Sequence, residues 1–515
     1  MRTRFVLTLG AAALGTTALS ALPASASASA SASASASASA QSRADHYVDC
    51  SAPSGGHGTA RSPWNTLASV NAHTFGPGDR ILFKRGATCT GTFAPHGSGR
   101  QGAPIRTDAY GRGTARPVIA GAGAPDAVVL HNQQYWELRN LEVTNTGGTP
   151  GKRRGVRVSG GDAGTLRHIV LSGLDVHDVN GDDSKDVGGS AGITVWVEGT
   201  ATPTVFDDLR ITGNTVARAD RSGIFLFSTW NRSGWGGGAK GAHHPWTRVA
   251  VSGNRVSDIG GDGIVVADVT GAIVERNRVD GFQRRSAGYS AGLWTHNSDD
   301  VVLQHNEVSG GRTTRDGMAF DVDQDAYGTV FQYNYSHDNE GGFLLLCNAD
   351  GAVKNAVVRY NVSVNDRFRG VENCGGTIDS AAIYDNTFYI GDGVSQNVVN
   401  ENNTNLRNVT FANNVVVKQG SGTAAFKLMS GGYRIQNNLL NGLSAPSGAT
   451  GTITGPVRLA APGGTRPADY RILPGSAAQR AGLPIVGNGG RDYFGNHVPR
   501  TCAPDVGAHQ LSHGC

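Results

Sequence analysis

The sequence predicts an all-β fold, a single-stranded right-handed parallel β-helix that forms a solenoid of roughly 10–12 rungs. Three observations lead to this prediction. Glycine is abundant, with 74 residues among 515, and only 17% of residues are charged, which favours many turns between short strands. An Asn followed two residues later by an apolar side chain recurs every 24 to 29 residues in the second half of the chain. Between these Asn residues lie short alternating apolar runs without helical periodicity.

The recurring Asn marks one corner of each rung. Asn side chains stacked at the same corner can hydrogen-bond from rung to rung, which explains their recurrence. The period also separates this fold from its rivals, because leucine-rich repeats need a leucine spacing that is absent here and a propeller needs four strands in a longer period. The positions that define the pattern are Asn140, Asn214, Asn254, Asn277, Asn306, Asn334, Asn361, Asn386, Asn414 and Asn438.

The two ends of the chain differ from the repeat. Residues 1–28 combine a short basic stretch, an apolar run and an A-x-A pattern, which together predict a signal peptide. Residues 29–44 form a Ser/Ala low-complexity linker. We expect the β-helix domain with its N-terminal cap to span residues 45–460 and a C-terminal cap to span residues 461–515. No later apolar run reaches membrane-spanning length, so we expect a secreted, extracellular product.

Each end of the solenoid has its own predicted cap. The segment SPWNTLASVNAH (62–73) predicts an amphipathic capping helix that begins at an N-cap Ser62 and covers the open end of the first coil. The segment GDRILFKRG that follows predicts the first rung. At the other end, ADYRILPGSAAQRAG and RDYFGNHVP lack the repeat and predict an irregular cap.

Charge and cysteine content limit the partners. The formal net charge is only +4, which gives no electrostatic reason to expect nucleic acid or an anionic membrane as a partner. We expect a monomer. The six cysteines fit an exported protein, and Cys347 and Cys374 are 27 residues apart, an interval within the range of the repeat. No C-x-x-C pattern occurs, so a zinc or redox site is not expected.

Alternate residues of a strand share a face, so aligning the strands on the Gly before each of them separates core positions from outer ones. With Gly292 and Gly317 taken as equivalent, Asp321 lies one rung from His296 on the outer face. The residues assigned to the core are Ile264, Val266, Leu293, Met318, Phe320, Val322, Phe343 and Leu345. The three outer columns contain Arg157, Ser159, Thr194, Trp196, Glu198, Phe225, Phe227, Thr229, Val265, Ala267, Trp294, His296, Ser298, Ala319, Asp321, Asp323, Leu344, Leu346, Asn348 and Glu372.

The segment from Tyr47 to Gly86, the Asn-rich rungs and the tail from Tyr470 to Gln510 together resemble the pectate-lyase-like superfamily of secreted β-helix proteins. That superfamily includes lyases, hydrolases, esterases, epimerases and phage tailspikes, so the resemblance implies the fold more than the reaction. A shorter segment, FDVDQDAYGTVFQYN, is similar to the catalytic-strand segment of β-helix xylosidases and related glycosidases. This second resemblance implies that Asp321 or Asp323 is a nucleophile or base.

The segment RDGMAFDVDQDAYG (315–328) has two interpretations. A calcium loop of the EF-hand type needs Gly at its sixth position and Glu at its twelfth, whereas counting from Asp321 these positions hold Ala326 and Gln332. Phe320 and Val322 alternate with the acids, which instead indicates a strand that shows carboxylates on one face. No cofactor is required by this second interpretation, and calcium held by carboxylates of several rungs stays an alternative.

Four acids are the predicted catalytic residues. Asp321 and Asp323 should have Cα atoms ~6.7 Å apart on one face, and like charges that close raise one pKa, so that one acid can keep its proton. Glycoside hydrolysis needs this division between a nucleophile or base and a proton donor. Glu372 on the same sheet is the first candidate for the donor, and Glu340 in a turn at the rim is the second. The alternative is that these carboxylates are solvated or cap turns.

Aromatic and polar side chains near the acids are the predicted substrate contacts, because sugar rings stack on aromatic faces. These residues are Trp196, Trp230, Trp294, His296, Asn348 and Asp316. Two long insertions, 177–192 and 228–248, interrupt the period before the acidic rungs, and we expect them to wall one end of a cleft. The alternatives are a structural surface histidine, Trp rings covered by a loop, and an Asp-Gly turn at Asp316.

Together these residues predict a secreted glycoside hydrolase that cleaves a polysaccharide or oligosaccharide. The main alternative is a polysaccharide lyase, which removes a proton beside a uronate carboxylate with Arg or Lys as the base. The outer columns near Asp321 contain no Lys or Arg, which favours hydrolysis, although Arg284, Arg285, Arg367 and Arg369 could reach in from turns. A second alternative is a non-catalytic carbohydrate-binding or adhesin β-helix.

Overall fold

The described chain winds through three long parallel sheets, and each turn from Ile105 to Lys427 adds a strand to each sheet. This confirms the predicted right-handed parallel β-helix. The predicted signal peptide (1–28) lies outside the described residues, as do Cys515 and the linker except for its last two residues. The computed structural model describes residues 43–185, 188–238, 240–349 and 351–511.

Sheets 1 and 2 carry two sides of the coil. Sheet 1 has 16 strands, which are Asp45–Val48, Arg80–Lys84, Ile105–Tyr110, Trp136–Arg139, Thr165–Ser172, Val205–Thr212, Ala250–Ser252, Ile273–Glu275, Val302–Gln304, Val330–Gln332, Ala356–Arg359, Ala381–Tyr384, Val409–Ala412 and Tyr433–Gln436, with Trp246–Thr247 and Val269–Thr270 beside the stack. Sheet 2 has 13 strands, which are Thr88–Thr90, Val118–Ala120, Glu142–Asn145, Asp175–Val179, Thr215–Ala219, Arg255–Ser257, Arg278–Asp280, Glu307–Ser309, Tyr335–His337, Val362–Val364, Thr387–Ile390, Val415–Lys418 and Leu439–Asn441.

Sheet 3 closes the coil, and its outer face carries the candidate site. Its 11 strands are Asp126–His131, Arg154–Gly161, Ala191–Glu198, Ser222–Ser228, Ile264–Ala267, Leu293–His296, Met318–Val322, Gly342–Cys347, Phe368–Cys374, Gln396–Glu401 and Ala424–Lys427. A two-stranded sheet and three short helices complete the described elements, which are Ala352–Val353, Thr377–Ile378, the α-helix Leu67–Asn71 and the 3₁₀ helices Trp235–Gly237 and Pro467–Tyr470. Among the described residues, no helix is long and apolar enough to cross a membrane.

Apolar side chains stacked in columns fill the interior. Neighbouring strands of sheet 3 are parallel and in register, so residues at the same position of successive rungs lie next to each other. Ile193, Ile224, Ile264, Leu293 and Phe320 form one such column, and all five are fully buried. Burial of apolar surface contributes about 25 cal/mol per Å², so each rung that continues the column adds to the stability of the stack.

The repeated Asn residues form a hydrogen-bonded ladder at the corner between sheets 1 and 2, as the sequence predicts. Asn306 shows the unit: its backbone N–H and its Nδ2 both donate to Asn334 Oδ1 at 3.0 Å. Its own Oδ1 accepts the same two bonds from Asn277, and its Nδ2 also donates to the Val274 carbonyl. The ladder runs through Asn214, Asn254, Asn277, Asn306, Asn334, Asn361, Asn386, Asn414 and Asn438.

The prediction that Asn140 belongs to this ladder is wrong by one position. Asn140 lies one residue before the ladder position, has a left-handed φ of 56° and bonds Asp108 at 2.8 Å. Leu141 and Leu174 hold the ladder position in their rungs, and the Leu174 N–H donates to Asn214 Oδ1 at 2.9 Å. Asn is favoured both in left-handed backbone and in side-chain ladders, which explains the confusion.

The N-terminal cap differs from the prediction in its boundaries. The helix is shorter, Leu67–Asn71, and its N-cap is Thr66, whose hydroxyl accepts a backbone N–H of the first turn at 3.2 Å. Ser62 lies before the helix in a turn and is not its N-cap. The first strand also comes earlier than predicted, because Asp45–Val48 pairs in parallel with Arg80–Lys84. The chain therefore enters sheet 1 before it forms the helix.

The predicted alignment of sheet 3 holds as far as Leu293 and then slips by two residues. The structure pairs Leu293 with Phe320, so Ala319 rather than Gly317 takes the place of Gly292. A small residue is needed there, because a Cβ at Gly292 would lie 2.4 Å from a valine side chain of sheet 2. Gly317 belongs instead to the preceding turn, where its φ is 63°. The repeated Gly is thus a packing position up to Gly292, and Ala319 occupies that position in its rung and Phe343 in the next.

This slip changes the neighbours of the acids. Asp321 pairs with Trp294 on one side and Leu345 on the other, and not with His296 as predicted. Leu345, which was assigned to the core, faces outward between Asp321 and Glu372. The residues assigned to the outer face that lie in the core are Ala319, Leu344 and Leu346.

Two disulfides join segments that the winding brings together. Cys50 bonds Cys89 near the N-terminal cap, with Cα atoms 5.2 Å apart. Cys347 bonds Cys374 between paired positions of neighbouring strands in sheet 3, with Cα atoms 4.7 Å apart. Their separation of 27 residues corresponds to one rung. Cys502 is also disulfide-bonded.

We expect Asn306→Ala to lower the unfolding free energy by about 2–4 kcal/mol, because it leaves buried groups of Asn277, Asn334 and the Val274 carbonyl without partners. Asn140→Gly is the control, since it keeps the left-handed backbone and removes a surface bond only. Guanidinium melts followed by circular dichroism measure both. Equal midpoints for the two variants would contradict a structural role for the ladder.

Candidate active site

Three Asp residues lie within or next to one strand of sheet 3. Asp321 is the fourth residue of the strand Met318–Val322, and the alternation of side chains turns it outward. Asp323 follows the strand at once and shares that face. Asp316 precedes the strand in a left-handed turn with φ of 55°, next to Ser290 of the preceding rung. The strand and its two turns thus hold three carboxyls within one rung.

The three carboxyls differ in access to solvent. Asp321 is only 6% exposed, and its Oδ1 is buried without a hydrogen-bond partner. Asp316 and Asp323 are half-buried. Asp323 Oδ1 accepts the Gln324 N–H at 2.7 Å, whereas the Asp316 carboxyl has no hydrogen bond within the described chain. The buried acid therefore lies behind two acids that a ligand can contact.

Burial and mutual repulsion raise the pKa values of all three acids. Burial raises the pKa of Asp321 well above its ordinary range, and the charges of Asp323 and Asp316 add to the shift. Burial also raises the pKa of Asp316 to about 6 and the pKa of Asp323 to about 6. Lys185 opposes each of these shifts. At neutral pH or slightly below, the group therefore holds protons that ordinary Asp residues have lost.

Lys185 is a functional candidate that the sequence prediction missed. It comes from the insertion 177–192, and its ammonium lies 4.5 Å from the centre of the Trp294 ring and 3.4 Å from Asp262 Oδ2. It also donates to the Tyr289 carbonyl at 3.3 Å. No periodic signal marks this residue, because an irregular loop delivers it. The insertion thus supplies charge to the site as well as a wall.

Asp262 anchors this cation network from below. It is fully buried, and its carboxylate accepts bonds from Arg221 at 2.9 Å and from the Trp294 indole N–H at 2.9 Å. The pKa of Asp262 is lowered, since Lys185 and Arg221 outweigh the cost of burial. These contacts make Asp262 the counter-ion that holds Trp294 and Lys185 in place.

The predicted aromatic contacts are buried beneath cations. Trp294 is covered by Lys185, and Trp196 by the guanidinium groups of Arg154 and Arg157 at 5.3 and 5.2 Å. Trp230 packs in the hydrophobic core. The alternative in which a loop covers the ring thus describes Trp294, whereas Trp196 is covered by side chains of the neighbouring strand Arg154–Gly161. A sugar would have to displace Lys185 to stack on Trp294.

His296 and Asn348 are also buried. His296 packs against Trp294, Trp235 and Phe227, with ring centres 5.6, 4.8 and 6.4 Å away. Burial lowers the pKa of His296 to about 3, so its ring is neutral. Asn348 donates to a backbone carbonyl at 3.2 Å, and its side-chain oxygen has no partner. Both belong to the floor beneath the outer surface.

The two Glu candidates are engaged by cations. Glu372 is buried, bonds the Arg369 guanidinium and accepts the Asn402 side-chain N–H at 2.9 Å. Glu340 accepts bonds from Arg312 at 2.9 Å and from a backbone N–H at 2.7 Å, and these bonds hold its pKa below the ordinary range. Neither Glu belongs to the strand Met318–Val322 or to the turns on either side of it.

Exposed aromatic rings on the rim are further residues that sequence reasoning missed. Tyr289 is 62% exposed and lies in the turn before the Trp294 strand, with the Arg315 guanidinium 5.3 Å from its ring. Phe368 is 43% exposed and has a left-handed φ of 57°, which is costly for a bulky side chain. Arg369, beside it, donates to the Asp316 carbonyl at 2.5 Å. Solvent-exposed rings therefore lie on both sides of the Asp316 turn.

The fold and the register are those of a right-handed parallel β-helix. A family model described as right handed beta helix region matches residues 191–388. Among curated proteins, a lacto-N-biosidase of Bifidobacterium longum subsp. longum is 26% identical over 499 residues, which cover 79% of this chain and 31% of that protein. The chain thus spans about a third of the length of that relative.

Two crystal structures of a GH136 lacto-N-biosidase from Eubacterium ramulus are similar to the chain. The native protein is 25% identical with a TM-score of 0.60, and the selenomethionine derivative is 24% identical with a TM-score of 0.59. Each covers 74% of this chain and 68% of its own chain. The similarity therefore extends over most of the solenoid.

We expect Asp321→Asn to raise the thermal midpoint at pH 7–8. A buried acid with a raised pKa contributes its full stability below its unfolded pKa and loses it as the pH rises towards the folded pKa. The amide keeps the shape and has no proton to lose, so the variant should gain on the order of 1 kcal/mol or more at pH 8 relative to pH 4.5. Scanning calorimetry across that range measures it. A difference between variant and parent that is independent of pH would contradict the buried, protonated acid.

Proposed function

We propose that the chain is a glycoside hydrolase that cleaves an oligosaccharide or polysaccharide on the outer face of sheet 3. The proposal rests on Asp316, Asp321 and Asp323. These three acids lie within one rung, and the pKa of each carboxyl is raised. Hydrolysis of a glycosidic bond needs one protonated and one ionised carboxyl at the same bond. The similarity to lacto-N-biosidases supports the same class of reaction.

We assign the reacting pair to the two half-buried acids. Asp323 is the nucleophile or base, because its backbone hydrogen bond stabilises the ionised form. Asp316 is the proton donor, because burial raises its pKa to about 6 and no hydrogen bond to its carboxyl favours the anion. Asp316 protonates the glycosidic oxygen while Asp323 attacks the anomeric carbon or activates water. Asp321 stays protonated behind them and excludes a further negative charge.

This assignment differs from the donors that the sequence suggests. Glu372 is separated from Asp321 by Leu345 and is neutralised by Arg369, so its carboxylate is committed to an internal ion pair. Glu340 is held as an anion by Arg312 and by a backbone N–H, which opposes proton donation. Asp316, first considered as a substrate contact, has the raised pKa that a general acid needs.

The polysaccharide-lyase alternative gains one supporting observation, since Lys185 and Arg369 both reach the site. Each is already paired with an acid, Lys185 with Asp262 and Arg369 with Glu372. A uronate substrate would also add negative charge beside Asp316 and its neighbours. A neutral sugar fits better, so hydrolysis is preferred. Absorbance of an unsaturated product on uronic-acid polymers would reveal the lyase.

We propose a neutral oligosaccharide substrate and secretion as the setting. The disulfides fit an oxidising compartment. A panel that includes oligosaccharides containing lacto-N-biose is the first choice, given the names of the similar proteins. Calcium stays an alternative ligand of the acid group, and activity with and without EDTA tests it.

We expect Asp316→Asn and Asp323→Asn each to lower kcat by roughly 10³-fold on the substrate found, since each removes one half of the acid–base pair. Asp338→Asn is the matched control, because the same substitution falls on an exposed Asp of another face. Glu372→Gln and Glu340→Gln should retain more activity than the Asp variants. Full loss in either Glu variant with activity kept in Asp316→Asn would overturn the assignment.

We expect kcat/KM to be bell-shaped with its maximum near pH 6, because both reacting acids have pKa values of about 6. Lys185 lowers both pKa values, so Lys185→Met should move both limbs to higher pH. Lys185→Arg keeps the charge and should leave the profile in place. Initial rates measured from pH 4 to pH 9 compare the three proteins, and an unshifted Lys185→Met profile would exclude this role.

A further inference from the structure

Two histidines and an aspartate converge at the N-terminal end of the solenoid, far along the chain from the acidic rung. His46 lies in the first strand of sheet 1, His73 follows the capping helix, and Asp79 precedes the second strand. The parallel pairing of Asp45–Val48 with Arg80–Lys84 brings the first and third of these side by side. One nitrogen of each imidazole and one carboxylate oxygen all lie within 4.8 Å of one another.

Packing fixes the imidazole of His46. It stacks on the Trp64 ring with centres 5.5 Å apart and an angle of 5° between planes. Phe75 packs edge-on against the rings of both histidines, at 5.1 and 4.7 Å. The two imidazole centres are 4.6 Å apart. Because aromatic walls surround them, neither ring needs a large movement to present its nitrogen to a common ligand.

Asp79 is held by the backbone. Its Oδ2 accepts the Gly76 N–H at 2.8 Å and its Oδ1 accepts the Ala44 N–H at 3.1 Å. These bonds leave further lone pairs on the carboxylate, since each oxygen can accept more than one bond. The carboxylate is thus oriented without being saturated, as a ligand supported by hydrogen bonds from its surroundings would be.

His46 has a buried polar atom without a partner. Its Nε2 is buried and has no hydrogen-bond partner. Asp79 Oδ2 lies 3.5 Å from this nitrogen, which is too long for a good hydrogen bond. The side chains of His46 and Asp79 are 14% and 12% exposed, so a small opening to solvent remains. A buried nitrogen aimed at a carboxylate and a second imidazole is a common feature of metal sites and a costly one without a ligand.

We propose that His46, His73 and Asp79 bind a divalent transition-metal ion, of which Zn²⁺ is the best match. Two imidazole nitrogens and one carboxylate oxygen are ligands that zinc accepts in tetrahedral sites, with water as the fourth. The same set is too poor in oxygen for calcium. This proposal departs from the expectation, based on the missing C-x-x-C pattern, that the chain has no zinc site. That pattern detects thiolate ligands, whereas imidazole ligands separated by tens of residues leave no local motif.

The consequence of metal binding is a fastened N-terminal cap. The three ligands come from the first strand, the end of the capping helix and the start of the second strand, so one ion joins three segments. A solenoid end has no further rung to cover it, and caps of this kind protect the stack from fraying. An ion that binds only the folded state raises its stability by mass action. This inference is independent of the proposed glycosidase activity.

The test uses the full disulfide-bonded chain, stripped with EDTA and then dialysed. Isothermal titration with ZnCl₂ should give one site, and zinc should raise the thermal midpoint by at least ~2 °C. His46→Gln and His73→Gln should each lower the affinity at least ~10-fold, as loss of one ligand does. His497→Gln, an exposed histidine in the C-terminal cap, is the matched control and should bind as the parent does.

Cobalt provides a measurement that does not depend on the variants folding. Co²⁺ added to the stripped parent chain should give the intense visible absorption of a four-coordinate site, and zinc should abolish it. No heat, no midpoint shift and no such absorption would overturn the proposal. Unchanged zinc affinity in folded His46→Gln and His73→Gln would overturn it equally, because the ion would then lie elsewhere.

Discussion

From Asn214 to Asn438 the geometry of the solenoid depends on the Asn ladder at the corner between sheets 1 and 2. Each Asn is bonded through its backbone and its side chain to the rungs before and after it, so successive corners cannot slide past one another. In a strand a slip of one residue turns every side chain to the opposite face. Because the ladder forbids that slip, acids such as Asp321 and Glu372 stay on the outer face while Phe320 stays in the core.

The ladder also explains where the chain can vary. The turn that carries the ladder is short, as at His305 and Asn306 between two strands. The insertion 177–192 enters sheet 3 and the insertion 228–248 leaves it, so both lie at the other two corners. Long loops cost little extra entropy as they grow. Rungs can therefore acquire functional loops around sheet 3 without disturbing the stack.

The fold was predictable from sequence because its signals are periodic. The spacing of Asn277 to Asn438 gave both the repeat and the ladder. The register of the acidic rung was not predictable from sequence. The alignment relied on Gly317, which is a turn glycine, while the packing position was occupied by Ala319. Only the contact with sheet 2 distinguishes the two, and that contact does not appear in a single sequence.

The site was predictable in part for the same reason. Asp316, Asp321 and Asp323 lie within one rung, so the segment itself indicated an acidic strand. The burial of each acid could not be inferred from sequence. It changes the roles assigned to the three acids, because Asp321 is enclosed whereas Asp316 and Asp323 are half-buried. Lys185 could not be inferred either, because Asp183 anchors its loop to Arg221 at 3.2 Å and to a backbone N–H more than 100 residues away.

The acids of the site come from the strand and its adjacent turns, whereas the cation and an exposed ring beside them come from loops. Strand and turn backbone fix Asp316 and Asp323, so their separation is set by the solenoid and is insensitive to loop sequence. Lys185 and Tyr289 come from loops, so the protonation of the acids and the surface offered to a sugar can change without moving the acids. A buried acidic group of this kind is costly unless a cation lies close. Removal of Lys185 should thus alter the chemistry of the pair while the fold persists.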